Sequence, residues 1–240
     1  MKRITENYLT ENNNLEGATP SKRPAARLAG LFFLLMVAFG ISAEILFRQK
    51  IFVDGDAATT ADNIISNVFL YRAGIVSDLL MTLCYLITAL ILYKLLSSVN
   101  KNTASVMVIF ATAGSILLMA NILTQFAPLV ILNGNEYLTA FDANQLESLS
   151  MLFFQLYEHG YMIGQIFFAL WVLPLGLLIY QSKFIPKIFG VLFIAEAIFG
   201  SISVLVHFLA PIEMVETILL LPGTVAELTF MVWLLVGCKK

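Results

Sequence analysis

Six long apolar runs separated by short polar segments organise the chain, near residues 28–47, 72–96, 104–132, 149–180, 187–209 and 214–237. Each matches or exceeds the roughly 20 residues that carry an α-helix across about 30 Å of hydrocarbon. The pattern predicts an all-α polytopic membrane protein, a bundle of six transmembrane helices over residues 27–238. The first 26 residues are polar, with two prolines and little periodic apolar content, and predict a disordered cytoplasmic N-terminal tail. No second domain is visible.

Composition agrees: 59% hydrophobic residues, 12% charged residues and a mean hydropathy of +0.86 exclude an ordinary soluble domain. The lipid bilayer is therefore the expected partner, and no nucleic-acid partner is expected. Basic residues are retained on the cytoplasmic side of short loops. With both termini inside, Lys2, Arg3, Lys22, Arg23, Arg27, Lys94, Lys101, Lys183, Lys187, Lys239 and Lys240 all face the cytoplasm. Arg48, Lys50 and Arg72 remain outside, in company with Asp54, Asp56, Asp62, Glu136, Asp142 and Glu147. This places a multi-pass protein in the cytoplasmic (cell) membrane. A signal peptide cleaved after Gly40 to Ala43 is disfavoured, because the polar region before it is too long. Cys84 and Cys238 fall far apart along the bundle axis, and no Cys/His metal spacing occurs.

The polar residues within the spans recur at helical intervals. Glu196, Gly200, Ser203 and His207 form one stripe, and Glu216, Gly223 and Glu227 form another. Tyr71, Asp78 and Tyr85 stand seven apart with Thr82 alongside, while Gly114, Asn121, Gln125 and Pro128 line up on the third span. Gln155, Glu158, His159 and Gln165 share a third of the fourth helix. One stripe per helix implies a bundle whose interior is wetter than its rim. Asn121, Gln125, Gln165 and Ser203 need no role beyond interhelical hydrogen bonding, and Gly160 and Gly164 read as a close-packing motif within the bundle.

Intramembrane charges are functional candidates by default. The candidates for a ligand pocket are Glu44, Arg72, Asp78, Glu158, His159 and Glu227, and a metal could be offered Glu44, Asp78 and His159. Arg72 is expected to pair with Glu44 or Asp78, so that Arg72→Met should cost more stability than Arg48→Met. His159 is expected to face the interior near Asp78 and Glu44, with Phe154, Leu156, Ile163 and Trp171 on the lipid side. A static Arg–acid brace above protonated glutamates accounts for the same residues without activity.

The segments RLAGLFFLL with Glu44 following, VDGDAATTADNI, FLYRAGIVSDLLM, YLTAFDANQLESLSMLFFQLYEHGYMIGQIFF, SKFIPKIFGVLF and LLPGTVAELTFMVWLLV together resemble the bacterial membrane family called domain of unknown function 4386. The resemblance implies a six-helix integral protein of the bacterial inner membrane, without implying an activity. Glu44, Asp56, Asn63, Arg72, Asp78, His159, Gly160, Tyr161, Pro186, Gly190 and Glu227 match its pattern. Glu196 stands where the family tends toward a small residue.

The reading that follows is an outward-facing intramembrane polar pocket that binds a small ligand, lipid headgroup or cation. The alternatives are an intramembrane metal-dependent enzyme, for which no HExxH or GxSxG motif is present, and a small-solute transporter, for which no internal repeat is visible. No cofactor or oligomeric state can be assigned at this level. In a background lacking the native cysteines, an impermeant thiol reagent applied to intact cells is expected to modify Asn144→Cys and not Asn102→Cys. The reverse result would invert the topology.

Overall fold

The structure is a computed structural model that describes residues 22–134 and 136–237; the expectation for positions 1–21 lies outside the described residues. Among the described residues the fold consists of seven α-helices and a short 3-10 turn, Glu136–Leu138, with no strands. They are α1 (Lys22–Ile51), α2 (Ala57–Ser66), α3 (Val68–Leu96), α4 (Lys101–Leu132), α5 (Ala143–Gln181), α6 (Lys187–Leu209) and α7 (Glu213–Val232), the last extended by a π turn, Trp233–Gly237. All except α2 are long and apolar enough to cross a membrane.

Local signals set most boundaries. Pro24 falls in the first turn of α1, where its missing N–H would have had no intrahelical acceptor. Thr103 N donates to the Asn100 side chain at 3.1 Å to cap α4. Gly134, at φ 70°, ends it in the left-handed conformation that a side chain disfavours. Asp142 and Gln145 exchange side-chain and backbone hydrogen bonds at the start of α5, a reciprocal capping box. Pro128, Pro174 and Pro222 all lie inside continuous helices.

Helix α2 was not anticipated. Asp56 caps it, accepting from Thr59 N at 2.9 Å and Thr59 Oγ1 at 2.7 Å. The Thr59 backbone N–H holds the Asp56 carboxyl below the usual carboxylate range. The cap is therefore present at neutral pH and is lost as pH falls through that lowered value. Asn63 Nδ2 donates to the Ile51 carbonyl at 3.0 Å, which ties α2 to the end of α1.

Each spanning helix packs against its neighbours in sequence, and α1 closes the bundle against the C-terminal turns of the last span. The main apolar core, including Phe33, Leu92, Met107, Trp171, Leu175 and Phe230, fills the half nearer the chain termini. A smaller cluster of Ile51, Ile64, Tyr71, Ile75, Ile122 and Leu129 fills the end beneath α2. Along α3, Asp78 falls between the two clusters.

Phe154 and Trp171 do not face lipid as expected. Phe154 is buried and stacks on Phe52 at 4.2 Å, while Trp171 is buried edge-on to Tyr85 at 5.1 Å. Helix α5 contacts α4 on one side and α6 on the other, so its apolar residues are shared between core and rim. The GxxxG motif does pack within the bundle: a Cβ on Gly160 would lie 2.0 Å from Asn121 Oδ1 of α4, and one on Gly164 would lie 2.8 Å from Leu118.

The tightest backbone approach joins α5 to α6. A Cβ on Gly190 would come within 2.7 Å of Tyr180 N and 2.8 Å of the Gly176 carbonyl oxygen. Because backbone cannot swing aside, Gly190→Ala is expected to destabilise the purified protein by about 1–3 kcal/mol. Gly200→Ala should change little, since its Cβ would meet only Ala169 at 3.5 Å. Thermal unfolding in detergent compares the two.

Candidate functional site

One carboxylate gathers donors from three other helices. Asp78 Oδ2 on α3 accepts from Arg48 Nη2 of α1 at 2.9 Å, Gln125 Nε2 of α4 at 2.9 Å and Tyr157 OH of α5 at 3.1 Å. The same Arg48 nitrogen donates to Tyr157 OH at 2.6 Å, and the guanidinium lies 5.0 Å from the Tyr157 ring. Arg48 Nη1 pairs with Glu44, whose other oxygen accepts from Gln49 at 3.2 Å. Tyr71 OH donates to the Gln125 carbonyl at 2.6 Å and so fixes the helix that carries the amide. Hydrogen bonds to a charged group contribute about 1.5–3 kcal/mol each, against about 0.6 kcal/mol for an average interhelical bond in a membrane. This cluster therefore outweighs the scattered polar contacts elsewhere.

Arg48, not Arg72, is the partner of Glu44 and Asp78. Helix α1 continues to Ile51, and its π turn from Ser42 to Arg48 carries Glu44 and Arg48, an i,i+4 ion pair, on the face toward α3. Arg72 precedes Asp78 by six residues, which turns it roughly 120° away around α3. It is exposed, forms no ion pair among the described residues, and lines a separate cavity of about 380 Å³ with Ile64, Phe126 and Asn133.

Beside the Asp78 cluster lies a cavity of about 410 Å³ lined by Glu44, Arg48, Asp78, Tyr157, Glu158 and Tyr161 among others. Glu158, one position beyond Tyr157, borders it and makes no ion pair among the described residues. His159 does not reach this cavity. Two residues after Tyr157, it is rotated by about 200° and points toward α6. There its Nδ1 lies 3.2 Å from His207 Nε2, and His207 Nδ1 lies 3.0 Å from Glu216 Oε2 of α7. Glu44, Asp78 and His159 are thus not brought together, and among the described residues no three His, Cys, Asp or Glu side chains are grouped as metal ligands.

Glu227 occupies another cavity of about 270 Å³ between α5, α6 and α7, together with Glu196, Gly200, Ser203 and Gly223. The two stripes read on the fifth and sixth spans meet there. Tyr161 and Met162 line both this cavity and the one beside Asp78. The six candidates therefore divide among four places.

The sequence reading passed over Arg48 and Tyr157. Arg48 was legible as the residue four after Glu44, but a span ending at position 47 left it outside. Tyr157 carried no signal beyond its neighbours.

Six apolar helices and an internal polar layer define a multi-pass, all-α membrane protein within the lipid bilayer. The chain belongs to the family described as domain of unknown function (DUF4386), which matches residues 28–237. No curated protein and no solved structure matches it.

Removing one member of a buried ion pair leaves the other charge unmatched, at a cost of about 3–5 kcal/mol. Arg48→Met is therefore expected to lower thermal stability in detergent by about 3 kcal/mol, and Arg72→Met by less than about 1 kcal/mol. Equal losses would mean that the Asp78 cluster does not hold the helices together.

Proposed function

We propose that the chain is a binding protein of the bacterial cytoplasmic membrane that takes a small cation into the cavity beside Asp78 from the external side. The observation carrying this reading is charge: Glu44, Asp78 and Glu158 line one cavity with Arg48 as its only cationic side chain among the described residues. A carboxylate excess within a membrane domain is costly unless a cation or protons balance it. The external orientation is supported by the basic residues Lys22, Arg23, Arg27, Lys94, Lys101, Lys183 and Lys187, which flank the opposite end of the spans. Transport is the second reading, favoured by Tyr161 and Met162, which form a shared wall between this cavity and the deeper one.

Putrescine, a small dication, is the probe. It is expected to raise the unfolding temperature of the purified protein saturably, whereas 1,4-butanediol, of similar shape and no charge, should not. Glu158→Gln should keep the unliganded stability, since Glu158 holds no ion pair, and should lose most of the putrescine shift. An equal shift from the diol, or an undiminished shift in Glu158→Gln, would overturn the reading.

A further inference from the structure

The deeper cavity carries a different arrangement. Glu196 on α6 and Glu227 on α7 both line it, and among the described residues no Lys, Arg or His does. Glu196 Oε2 and Glu227 Oε1 are buried with no hydrogen-bond partner among the described residues. The side chain of Glu196 is held against α7, because a Cβ on Gly223 would lie 2.8 Å from Glu196 Cγ.

Ser203 is the independent observation. It is 0% exposed, lines the same cavity, and its Oγ has no partner among the described residues. A hydroxyl inside an apolar helix ordinarily donates to the carbonyl four residues earlier. Ser42, Thr82, Thr88, Ser115 and Ser201 of this chain all do so, at 2.7–2.9 Å. Ser203, two residues beyond Ser201 on the same helix, does not. Leaving a buried polar group unpaired costs about 1–3 kcal/mol, and the three residues that carry such atoms, Glu196, Ser203 and Glu227, all line one space of about 270 Å³.

We infer that this cavity is a binding site for a primary ammonium group carrying a short apolar substituent. An R–NH₃⁺ group has three N–H donors, which match the three unpaired acceptors Glu196 Oε2, Glu227 Oε1 and Ser203 Oγ. One ammonium and one proton balance the two carboxylates. Phe168, Val204 and Leu219 offer the remaining wall to hydrocarbon, and Phe168 adds an aromatic face for the cation. Exposed Leu220 and Thr224 of α7 border the cavity, so the substituent can leave toward the surrounding lipid. The ammonium could belong to a free alkylamine or to an ethanolamine lipid headgroup.

The experiment titrates full-length purified protein with n-butylammonium and follows thermal unfolding. Saturable stabilisation by n-butylammonium, with none from butyltrimethylammonium, which lacks N–H donors, is expected. Ser203→Ala, which removes a single oxygen atom, should weaken n-butylammonium binding roughly tenfold, and Glu227→Gln by more. Glu158→Gln, in the other cavity, should leave this affinity unchanged, which separates this site from the one beside Asp78. Reconstitution in nanodiscs identifies the source: competition by phosphatidylethanolamine but not phosphatidylcholine indicates the headgroup, and n-butylammonium binding without competition indicates a free amine. Equal stabilisation by butyltrimethylammonium, unchanged affinity in folded Ser203→Ala, or loss of binding only in Glu158→Gln would overturn the assignment.

Discussion

A single oxygen, Asp78 Oδ2, is bonded to Arg48, Gln125 and Tyr157, side chains from the first, third and fourth spans, while Asp78 itself is on the second. A carboxylate this far inside an apolar bundle is tolerated only when a cation and directed donors surround it, since an unmatched charge near the bilayer centre costs a few kcal/mol even on lenient scales. Lipid offers no hydrophobic drive for helices to associate, so directed polar contacts and close packing must set their rotation. Four of the six spans are oriented by this one group. The apolar clusters on either side then pack in a register already fixed.

Two features of the backbone make the cluster possible. The π turn in α1 inserts extra backbone within Ser42–Arg48 and carries the Glu44–Arg48 pair toward α3. Helix α2 covers the end of the bundle beside it, where Ile64 packs with Ile51, Tyr71 and Leu129. The Asn63 bond to the Ile51 carbonyl satisfies a backbone acceptor at the end of α1 that would otherwise lack a partner. Asp56 and Asn63, which carry part of the family resemblance, thus have structural work at the mouth of the bundle. Gly160 and Gly190 do the same along its length, by letting α5 approach α4 and α6.

The last two spans are organised differently. Where α1, α3, α4 and α5 converge on the Arg48–Asp78 ion pair, α5, α6 and α7 enclose a space lined by two glutamates and a serine that carry buried oxygens without a partner among the described residues. Tyr161 and Met162 stand between the two spaces. At the end of this second group, His159, His207 and Glu216 link α5, α6 and α7 in one row of contacts. The bundle thus has one polar centre built on an ion pair and one whose buried acceptors lack partners among the described residues.

Hydropathy accumulates over a local window, so the six spans, the class of protein and the polar stripe on each helix were determined by the sequence itself. The stripes of Tyr71, Asp78 and Tyr85 and of Glu196, Gly200 and Ser203 do face the interior, because 3.6-residue periodicity is a property of one helix alone. Which polar residues meet was decided only by the tertiary structure. Partner choice depends on where α1 ends, on the rotation contributed by its π turn, and on the roughly 100° that separates each residue from the next. Those quantities placed Arg48 rather than Arg72 on Asp78, turned His159 toward His207, and divided Glu227 from Glu44. None of them is encoded within a single span, since each is fixed by what the neighbouring helices present.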